Sequence, residues 1–380
     1  MPVPVRTRVF VRALIIVAVA AAMYGIIRSK REMVDFNVYR IAGARAMHAE
    51  PLYRADDGHY QFKYLPAFAV AAIPLSWVPS EVAKAIWFAI SVWLLFIFFR
   101  RSVRHLPDRR LSAKALYWCS GLLMGKFIVR ELVHGQTNVL LGVIAIMALV
   151  AVQQRRYLEG GALAGLAIFV KPYALVLLPW LAVAAGIAGL AACSGVLAIG
   201  LVLPAAIYGW EGNFAELYGW YRTVTDTTAP NLLVPENVSL ATMWAKWLEP
   251  GPTAALLAVM SAALLLVVPL LAVLWRRRVD RPEYLEFGLL MVMIPLLSPQ
   301  GWDYVLLLAV PAVVCLVDRL RDTPVPWRVI TAAALITMGF TIFDVIGRTL
   351  YTAAMRISII SVCAIVMMIS LAELRRRAIA

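Results

Sequence analysis

The chain has 380 residues, of which 62% are hydrophobic, and its formal net charge is +14. Soluble domains are typically about 45–50% apolar, whereas the mean hydropathy of this chain is +0.80. The composition excludes a large soluble domain and predicts an all-α polytopic membrane protein, with residues 1–380 forming one domain.

The positive charge is concentrated in short clusters between apolar runs, which is typical of cytoplasmic loops that face anionic lipid. This distribution argues against nucleic-acid binding, for which a basic face on a soluble domain is expected. The clusters lie at residues 6–12, 100–114, 155–156, 276–281, 319–328 and 375–377.

Apolar runs follow one another along the chain with short gaps, and a full membrane crossing needs about 20 residues. They predict about twelve transmembrane helices, although several runs are short. The candidate spans are 10–27, 81–99, 115–133, 137–152, 159–170, 172–186, 190–209, 253–275, 284–297, 303–317, 327–346 and 357–374. The first could be read as a signal peptide, but a retained span is favoured.

The segment 63–79 is apolar but short, and it carries Pro66, Pro74 and Pro79. It is either a half-span or a full crossing. If this segment does not cross the membrane, every basic cluster lies on the same side as both termini. This side is then predicted to be cytoplasmic. The opposite side then holds two long loops, 28–65 and 210–252, and three short turns, 134–137, 298–302 and 344–356.

The loop 28–65 opens with a stretch of helical periodicity at 33–48, in which Asp35 and Tyr39 are four residues apart and share a face. A carboxylate on a helix at the membrane surface could accept a proton from a substrate hydroxyl. It could equally cap the N-terminus of its own helix.

Two short spans meet at Lys171-Pro172, which predicts a buried polar turn, because proline ends or kinks a helix. A lysine at membrane depth is costly and therefore indicates a function, with a lipid-linked phosphate as a natural partner. The alternative is that Lys171 is an internal counter-ion for a carboxylate.

Further polar residues lie at the predicted ends of spans, where turn chemistry and helix capping are the alternative explanation. They occur in four motifs: Lys63-Tyr64-Leu65-Pro66, Gly135-Gln136-Thr137-Asn138, Asn237-Val238-Ser239 and Ser298-Pro299-Gln300-Gly301-Trp302-Asp303.

Metal, redox and nucleotide sites are not indicated by the sequence. The four cysteines, at positions 119, 193, 315 and 363, are scattered through apolar runs without metal-ligand spacing. No P-loop, HExxH or dinucleotide fingerprint is present, and Asp56-Asp57 reads as a solvated turn. We therefore expect neither a cofactor nor a metal.

These motifs in this order resemble glycosyltransferase family 87, whose members are membrane enzymes of the GT-C fold typified by polyprenyl-phosphate-mannose-dependent α-mannosyltransferases. The resemblance covers roughly residues 30–320 and includes, besides the motifs above, Pro51-Leu52-Tyr53 and the glycines at 161 and 165. It implies a GT-C-like helical bundle with short helices in the loops on the extracytoplasmic side.

The resemblance implies transfer of a hexose, commonly mannose, from a polyprenyl-phosphate donor to a glycolipid or glycan on the extracytoplasmic face of a bacterial inner membrane. Asp35 matches the family's catalytic acidic residue and would be the general base of an inverting displacement. Lys171, with Lys63 as a second candidate, would bind the donor phosphate. The residues expected to contact substrate are Tyr39, Tyr64, Gln136, Asn138, Asn237, Gln300 and Trp302.

The chain departs from the family pattern at Gln300, where members often carry a histidine, and at Pro66, which follows Tyr64-Leu65 in place of Tyr-Pro-Pro. The first change puts an ionisable role at that position in doubt.

A transporter or flippase of a lipid-linked sugar is the alternative function, and a structural assembly subunit is a third. A transporter needs charged or polar residues along a path through the midplane, whereas the deep charges here are few, namely Lys126, Arg130 and Lys171, with Glu131 near the outer edge. The polar motifs lie on one side, which favours the transferase.

Overall fold

The computed structural model of the chain describes residues 33–378 together with Met23 and Gly25. The predicted first span, 10–27, lies outside the described residues apart from those two, and so does the start of the first loop.

The described residues are mainly helical, and their only β-type pairing is an isolated bridge between Asn237 and Trp302. The all-α prediction is confirmed. The helices are α1 Val34–Met47, α2 Pro66–Ser76, α3 Ser80–Arg104, α4 Ala113–Leu123, α5 Gly125–His134, α6 Asn138–Gln153, α7 Tyr157–Val170, α8 Leu177–Ala184, α9 Gly186–Val202, α10 Ala205–Asp226, α11 Leu240–Leu248, α12 Pro252–Leu274, α13 Glu283–Leu297, α14 Val310–Arg319, α15 Val325–Phe340, α16 Phe343–Arg356 and α17 Ile359–Arg377. Short 3₁₀ turns cover Ala55–Tyr60, Pro172–Val176, Arg276–Arg278, Asp303–Ala309 and Leu320–Asp322.

When crossings are counted by helix length and apolarity, the described residues contain fewer of them than the predicted twelve. Among the described residues, only α3 and α12 are long and apolar enough to cross a membrane alone, and up to five spans result if each strongly bent helix pair counts as one. The bent pairs are α5 with α6 (118°), α9 with α10 (89°) and α15 with α16 (106°). The prediction of about twelve spans is therefore not confirmed.

Several predicted boundaries need correction. The apolar run 115–133 is two helices, α4 and α5, that meet at Met124. The region 210–252 was expected to be a loop but contains most of α10 and the whole of α11, and the expected turn 344–356 is helix α16. These helices mix polar and aromatic residues, so their mean apolarity is low although their backbone is helical.

Helix α2 has 11 residues, about half of what a crossing needs. This length agrees with the interpretation of segment 63–79 as non-crossing. Its N-terminus is set by Pro66 at the first helical position, where proline's missing N–H has no intrahelical acceptor to lose.

Helix α13 is deeply buried: Glu286 and its neighbours up to Leu296 are almost fully enclosed. Tyr284 at its start donates a hydrogen bond to the carbonyl oxygen of Ser102 at 2.7 Å. Glu286 lies beside the guanidinium groups of Arg276 and Arg375, both at 3.5 Å. These contacts bring the basic segments after α12 and at the end of α17 to the same end of the bundle.

Helices α7 and α9 approach each other at glycines. A Cβ atom on Gly161 would lie 2.0 Å from the carbonyl oxygen of Gly189, and one on Gly165 would lie 2.9 Å from that of Cys193. Small residues four apart let helix backbones pack closely in membranes, and this packing holds the end of α7, from which Lys171 follows.

We predict that Gly161→Ala lowers the thermal unfolding midpoint, since the new methyl group must push α7 from α9, and overpacking costs about 1–3 kcal/mol. Gly195→Ala on α9 is the matched control, because nothing lies within 4 Å of its Cβ position. Equal midpoints for the two variants in detergent would contradict the close packing.

Candidate active site

The first turn of α1 carries Asp35, and its side chain is 28% exposed. The backbone N–H of Met33, which precedes the helix, donates to the carbonyl oxygen of Val133 at 2.8 Å and so fixes α1 to the end of α5. The prediction of a helix over 33–48 is confirmed. Phe36 and Tyr39 face the interior, and this leaves Asp35 at the edge of the buried region.

The turn after α5 places Gln136 against Asp35. Gly135 ends α5 with φ +67°, and a Cβ atom there would lie 2.8 Å from the Cβ of Phe36, so this tight reversal requires glycine. The Gln136 side chain then donates from Nε2 to Oδ2 of Asp35 at 2.6 Å. The Asp35 carboxylate is thus engaged by a residue 101 positions away along the chain, in addition to its favourable location near a helix N-terminus.

Lys171 lies behind Gln136. Its backbone is extended between α7 and the 3₁₀ turn that begins at Pro172, which confirms the predicted break. Its Nζ donates to Oε1 of Gln136 at 3.2 Å and to Oδ1 of Asn138 at 2.7 Å. A continuous polar chain therefore runs from Asp35 through Gln136 to Lys171, whose side chain is only 5% exposed.

A buried carboxylate ends this chain. Glu131 is fully enclosed and accepts hydrogen bonds from Nδ2 of Asn138 at 2.8 Å and from the backbone N–H of Val139 at 2.7 Å. Asn138 therefore stands between Lys171 and Glu131. This arrangement fits the interpretation of Lys171 as an internal counter-ion for a carboxylate. The only sequence signal for Glu131 as that carboxylate is its short distance along the chain from Asn138. A sugar contact for Asn138 stays a prediction.

Three hydroxyl groups line the neighbouring wall. Tyr39 and Tyr64 share a hydrogen bond at 2.9 Å, and Tyr64 lies 3.3 Å from Oγ1 of Thr137. The Tyr64 ring stacks on Phe68 with centroids 4.6 Å apart, and Lys171 Nζ lies 5.9 Å from its centre. Tyr39 is almost fully buried, so Tyr64 is the member of the pair that borders the partly exposed region.

Lys63 and Gln300 are joined across 237 residues of sequence. Lys63 Nζ donates to Oε1 of Gln300 at 3.1 Å, while Nε2 of Gln300 donates to Oγ1 of Thr227 at 3.0 Å. Trp220 on α10 donates to the carbonyl oxygen of Lys63 at 3.1 Å. Burial lowers the pKa of the Lys63 amine, and the charge of Asp35 partly opposes that shift. Helix α10 thus covers this part of the site.

Asn237 uses its side chain on the backbone. Nδ2 donates to the carbonyl oxygens of Asn231 at 3.0 Å and Pro299 at 3.1 Å, and Oδ1 accepts from the N–H of Ser239 at 3.1 Å. These bonds tie two loops together, and a sugar contact for Asn237 stays a prediction. Trp302, in the bridged loop, stacks on Tyr304 with centroids 6.3 Å apart.

A second buried carboxylate, Asp303, pairs with two cations of α5. Lys126 Nζ lies 2.9 Å from Oδ2, and Arg130 Nη1 lies 2.9 Å from Oδ1. The spacing of Lys126 and Arg130 in an apolar helix was the available sequence signal, but their partner is 173 residues from Arg130 and could not be identified from the sequence.

The protein-family comparison yields one match: the model described as Glycosyltransferase family 87 matches residues 62–299, more than half of the chain. The chain belongs to glycosyltransferase family 87. No curated protein and no solved structure matches it. Family membership makes this chain a membrane glycosyltransferase and favours the transferase over a transporter. The match begins after Asp35 and ends before Trp302, so the roles of these two residues rest on the geometry.

We predict that Lys171→Met destabilises this glycosyltransferase, because Glu131 keeps its buried charge without the nearest cation. The loss should reach up to about 3 kcal/mol, the lower end of the cost of breaking a buried pair, since Asn138 separates the two charges. The double variant Lys171→Met/Glu131→Gln should recover most of the thermal midpoint. An unchanged midpoint in the single variant would show that the two charges are not coupled.

Proposed function

We propose that this protein transfers a hexose, namely the mannose that is the family's common case, from a polyprenyl-phosphate donor to a hydroxyl group of a glycolipid or glycan. The proposed reaction inverts the anomeric carbon and takes place on the extracytoplasmic side of a bacterial inner membrane. The observation that carries the proposal is the partly exposed carboxylate of Asp35, held by the Gln136 amide in front of the buried Lys171.

The proposed reaction is a single displacement. The acceptor oxygen forms a bond to the anomeric carbon, its proton passes to Asp35, and the bond from that carbon to the donor's phosphate oxygen breaks. The electron pair of the broken bond leaves with the lipid phosphate, whose growing charge is stabilised by nearby cations. No redox step or metal is needed to balance this reaction.

Exposure distinguishes Asp35 from Glu131 and Asp303, the two buried carboxylates near the site. Glu131 and Asp303 are fully buried and paired with cations or amides, so an acceptor hydroxyl cannot reach them without opening the core. Asp35 lies at the border, and a general base must come within hydrogen-bond distance of the proton that it removes.

The contacts of Asp35 also orient it. Gln136 Nε2 at 2.6 Å and His134 Nδ1 at 3.9 Å both approach Oδ2. We assign the acceptor hydroxyl to Oδ1. Lys171 fixes the direction of the Gln136 amide, because an ammonium group can only donate and must therefore face Oε1. In this proposal Lys171 acts on the base through Gln136.

The substrate is proposed to lie between Asp35 and the cover formed by α10. Tyr64 and Trp302 present aromatic rings to this region, and Lys63 with Gln300 closes it on the side of α10. The proposed topology, with both termini cytoplasmic, is supported by contacts that bring basic clusters together: Arg319 donates to the carbonyl oxygen of Pro107, and Arg276 and Arg375 both lie 3.5 Å from Glu286.

We predict that Asp35→Asn lowers transfer from radiolabelled polyprenyl-phosphate-mannose by about 10²–10⁴-fold, the usual contribution of a general base. The amide keeps the shape of the side chain and an oxygen that can accept from Gln136, so the thermal midpoint should change little. The matched control is Asp56→Asn, an exposed carboxylate of the same loop, which should transfer like the wild type.

Two results would contradict the proposal in different ways. Equal transfer by Asp35→Asn and the wild type would show that Asp35 is not the general base. Its role would then be to stabilise the N-terminus of α1. Movement of intact labelled donor across the membrane of proteoliposomes, without transfer to any acceptor, would instead support the flippase alternative.

A further inference from the structure

Three ionisable side chains line one face of α5 at successive turns: Lys126, Arg130 and His134. Residues four apart on a helix are neighbours on its surface. The row begins deep in the bundle, where Lys126 is 5% exposed, and reaches Asp35, whose Oδ2 lies 3.9 Å from His134. Arg130 occupies the middle of the row, and its side chain is 25% exposed.

The deep end of this row is fixed by Asp303. The carboxylate is fully buried and lies 2.9 Å from Nζ of Lys126, and its two oxygens lie 2.9 and 3.0 Å from Nη1 of Arg130. Both contacts of Arg130 therefore use the same nitrogen. A guanidinium has five N–H donors in a planar fork, so this anchor leaves most of the fork able to bind a second anion.

The guanidinium of Arg130 is connected to the proposed base through Tyr304. Its central carbon lies 5.7 Å from the centre of the Tyr304 ring, and that ring is 5.7 Å from the ring of His134. The Tyr304 hydroxyl lies 3.2 Å from Nε2 of Gln136, the nitrogen that donates to Asp35. Arg130 and Asp35 are thus linked through Tyr304, and the side chains of both are partly exposed.

The other cations near Asp35 are already engaged. Lys171 donates to Gln136 and Asn138 and is almost fully buried, so a phosphate would have to enter the core to reach its remaining N–H. Lys63 donates to Gln300 beneath α10. Lys63 and Arg130 are both partly exposed. Arg130 is favoured because its guanidinium, anchored through one nitrogen, matches the geometry of a phosphate better than a lysine does.

We propose that Arg130 binds the phosphate of the lipid-linked donor, with Asp303 and Lys126 as positioning residues that hold its guanidinium. This inference rests on the proposed function for the identity of the ligand. The four-residue separation of Arg130 from His134 corresponds to about 6 Å along the helix axis. Such a separation places the leaving phosphate away from Asp35, as an inverting displacement requires, because the base and the leaving group act on opposite faces of the sugar.

The test measures binding separately from transfer. The full chain in nanodiscs is titrated with a short-chain polyprenyl phosphate and with the corresponding polyprenol, which lacks the phosphate. Arg130→Gln is expected to weaken binding of the phosphate by about 10- to 100-fold, the equivalent of one charge-assisted hydrogen bond. Binding of the alcohol should stay unchanged, and Arg130→Lys should be intermediate.

Arg222→Gln is the matched control, since Arg222 is an exposed arginine of α10 that pairs with Asp226, and it should bind the phosphate like the wild type. The thermal unfolding midpoints of Arg130→Gln and Arg130→Lys are measured in the same experiment, so that a loss of binding is not confused with a loss of folding.

Unchanged phosphate binding by folded Arg130→Gln or Arg130→Lys would overturn the inference, and a wild type that still transfers sugar would then leave the proposed function standing. Loss of phosphate binding in Arg130→Gln, with a wild type that transfers no sugar to any acceptor, would support the phosphate site and count against the transferase mechanism.

Discussion

The side-chain amide of Gln136 is the contact on which the candidate site depends. Its nitrogen donates to Asp35 and its oxygen accepts from Lys171, so one planar group joins the first turn of α1 to the break after α7. The amide can serve both partners in one orientation only, because a carboxylate accepts and an ammonium donates. The orientation of the proposed base is therefore fixed by a lysine that substrate does not need to touch. The sharp turn at Gly135 and the extended backbone at Lys171 are the local features that make this junction possible.

The arrangement also shows how the chain keeps charged groups inside a bundle of apolar helices. A buried charge is tolerated when it is paired and hydrogen-bonded. Glu131 accepts hydrogen bonds from Asn138 and from the N–H of Val139, Asp303 is paired by charge with Lys126 and Arg130, and Glu286 lies against Trp180 and two arginines. The first two groups adjoin the proposed site, whereas the Glu286 group joins the basic segments at another part of the bundle. Stability and proposed chemistry thus draw on the same side chains near Asp35.

Much of this could be predicted from the sequence. The apolar runs predicted helices, the periodicity at 33–48 predicted α1, and Lys171-Pro172 predicted a buried break, because each of these depends on residues close together in the chain. The pairing of Asp303 with Arg130 could not be predicted, since a contact across 173 residues leaves no local pattern. The bonds of Glu131 to Asn138 and Val139 span only 7 and 8 residues, but they depend on the sharp bend between α5 and α6. The helical nature of α10 and α16 was also missed. Both follow sharp bends and mix aromatic with polar residues, so their low apolarity suggested loops. The expected number of crossings was not confirmed for a related reason, because apolarity alone does not show where a helix ends or turns.

The most direct test of the account is a cryo-EM structure of the full chain in nanodiscs with a non-transferable analogue of polyprenyl-phosphate-mannose. We expect the anomeric carbon of the bound sugar to face Asp35. The space between them should allow an acceptor oxygen to lie about 3–3.5 Å from that carbon. The phosphate should lie against Arg130, and the Gln136 contacts should remain. A bound analogue whose sugar lies away from Asp35, at another end of the bundle or with Asp35 turned from it, would contradict the assignment of Asp35 as the base.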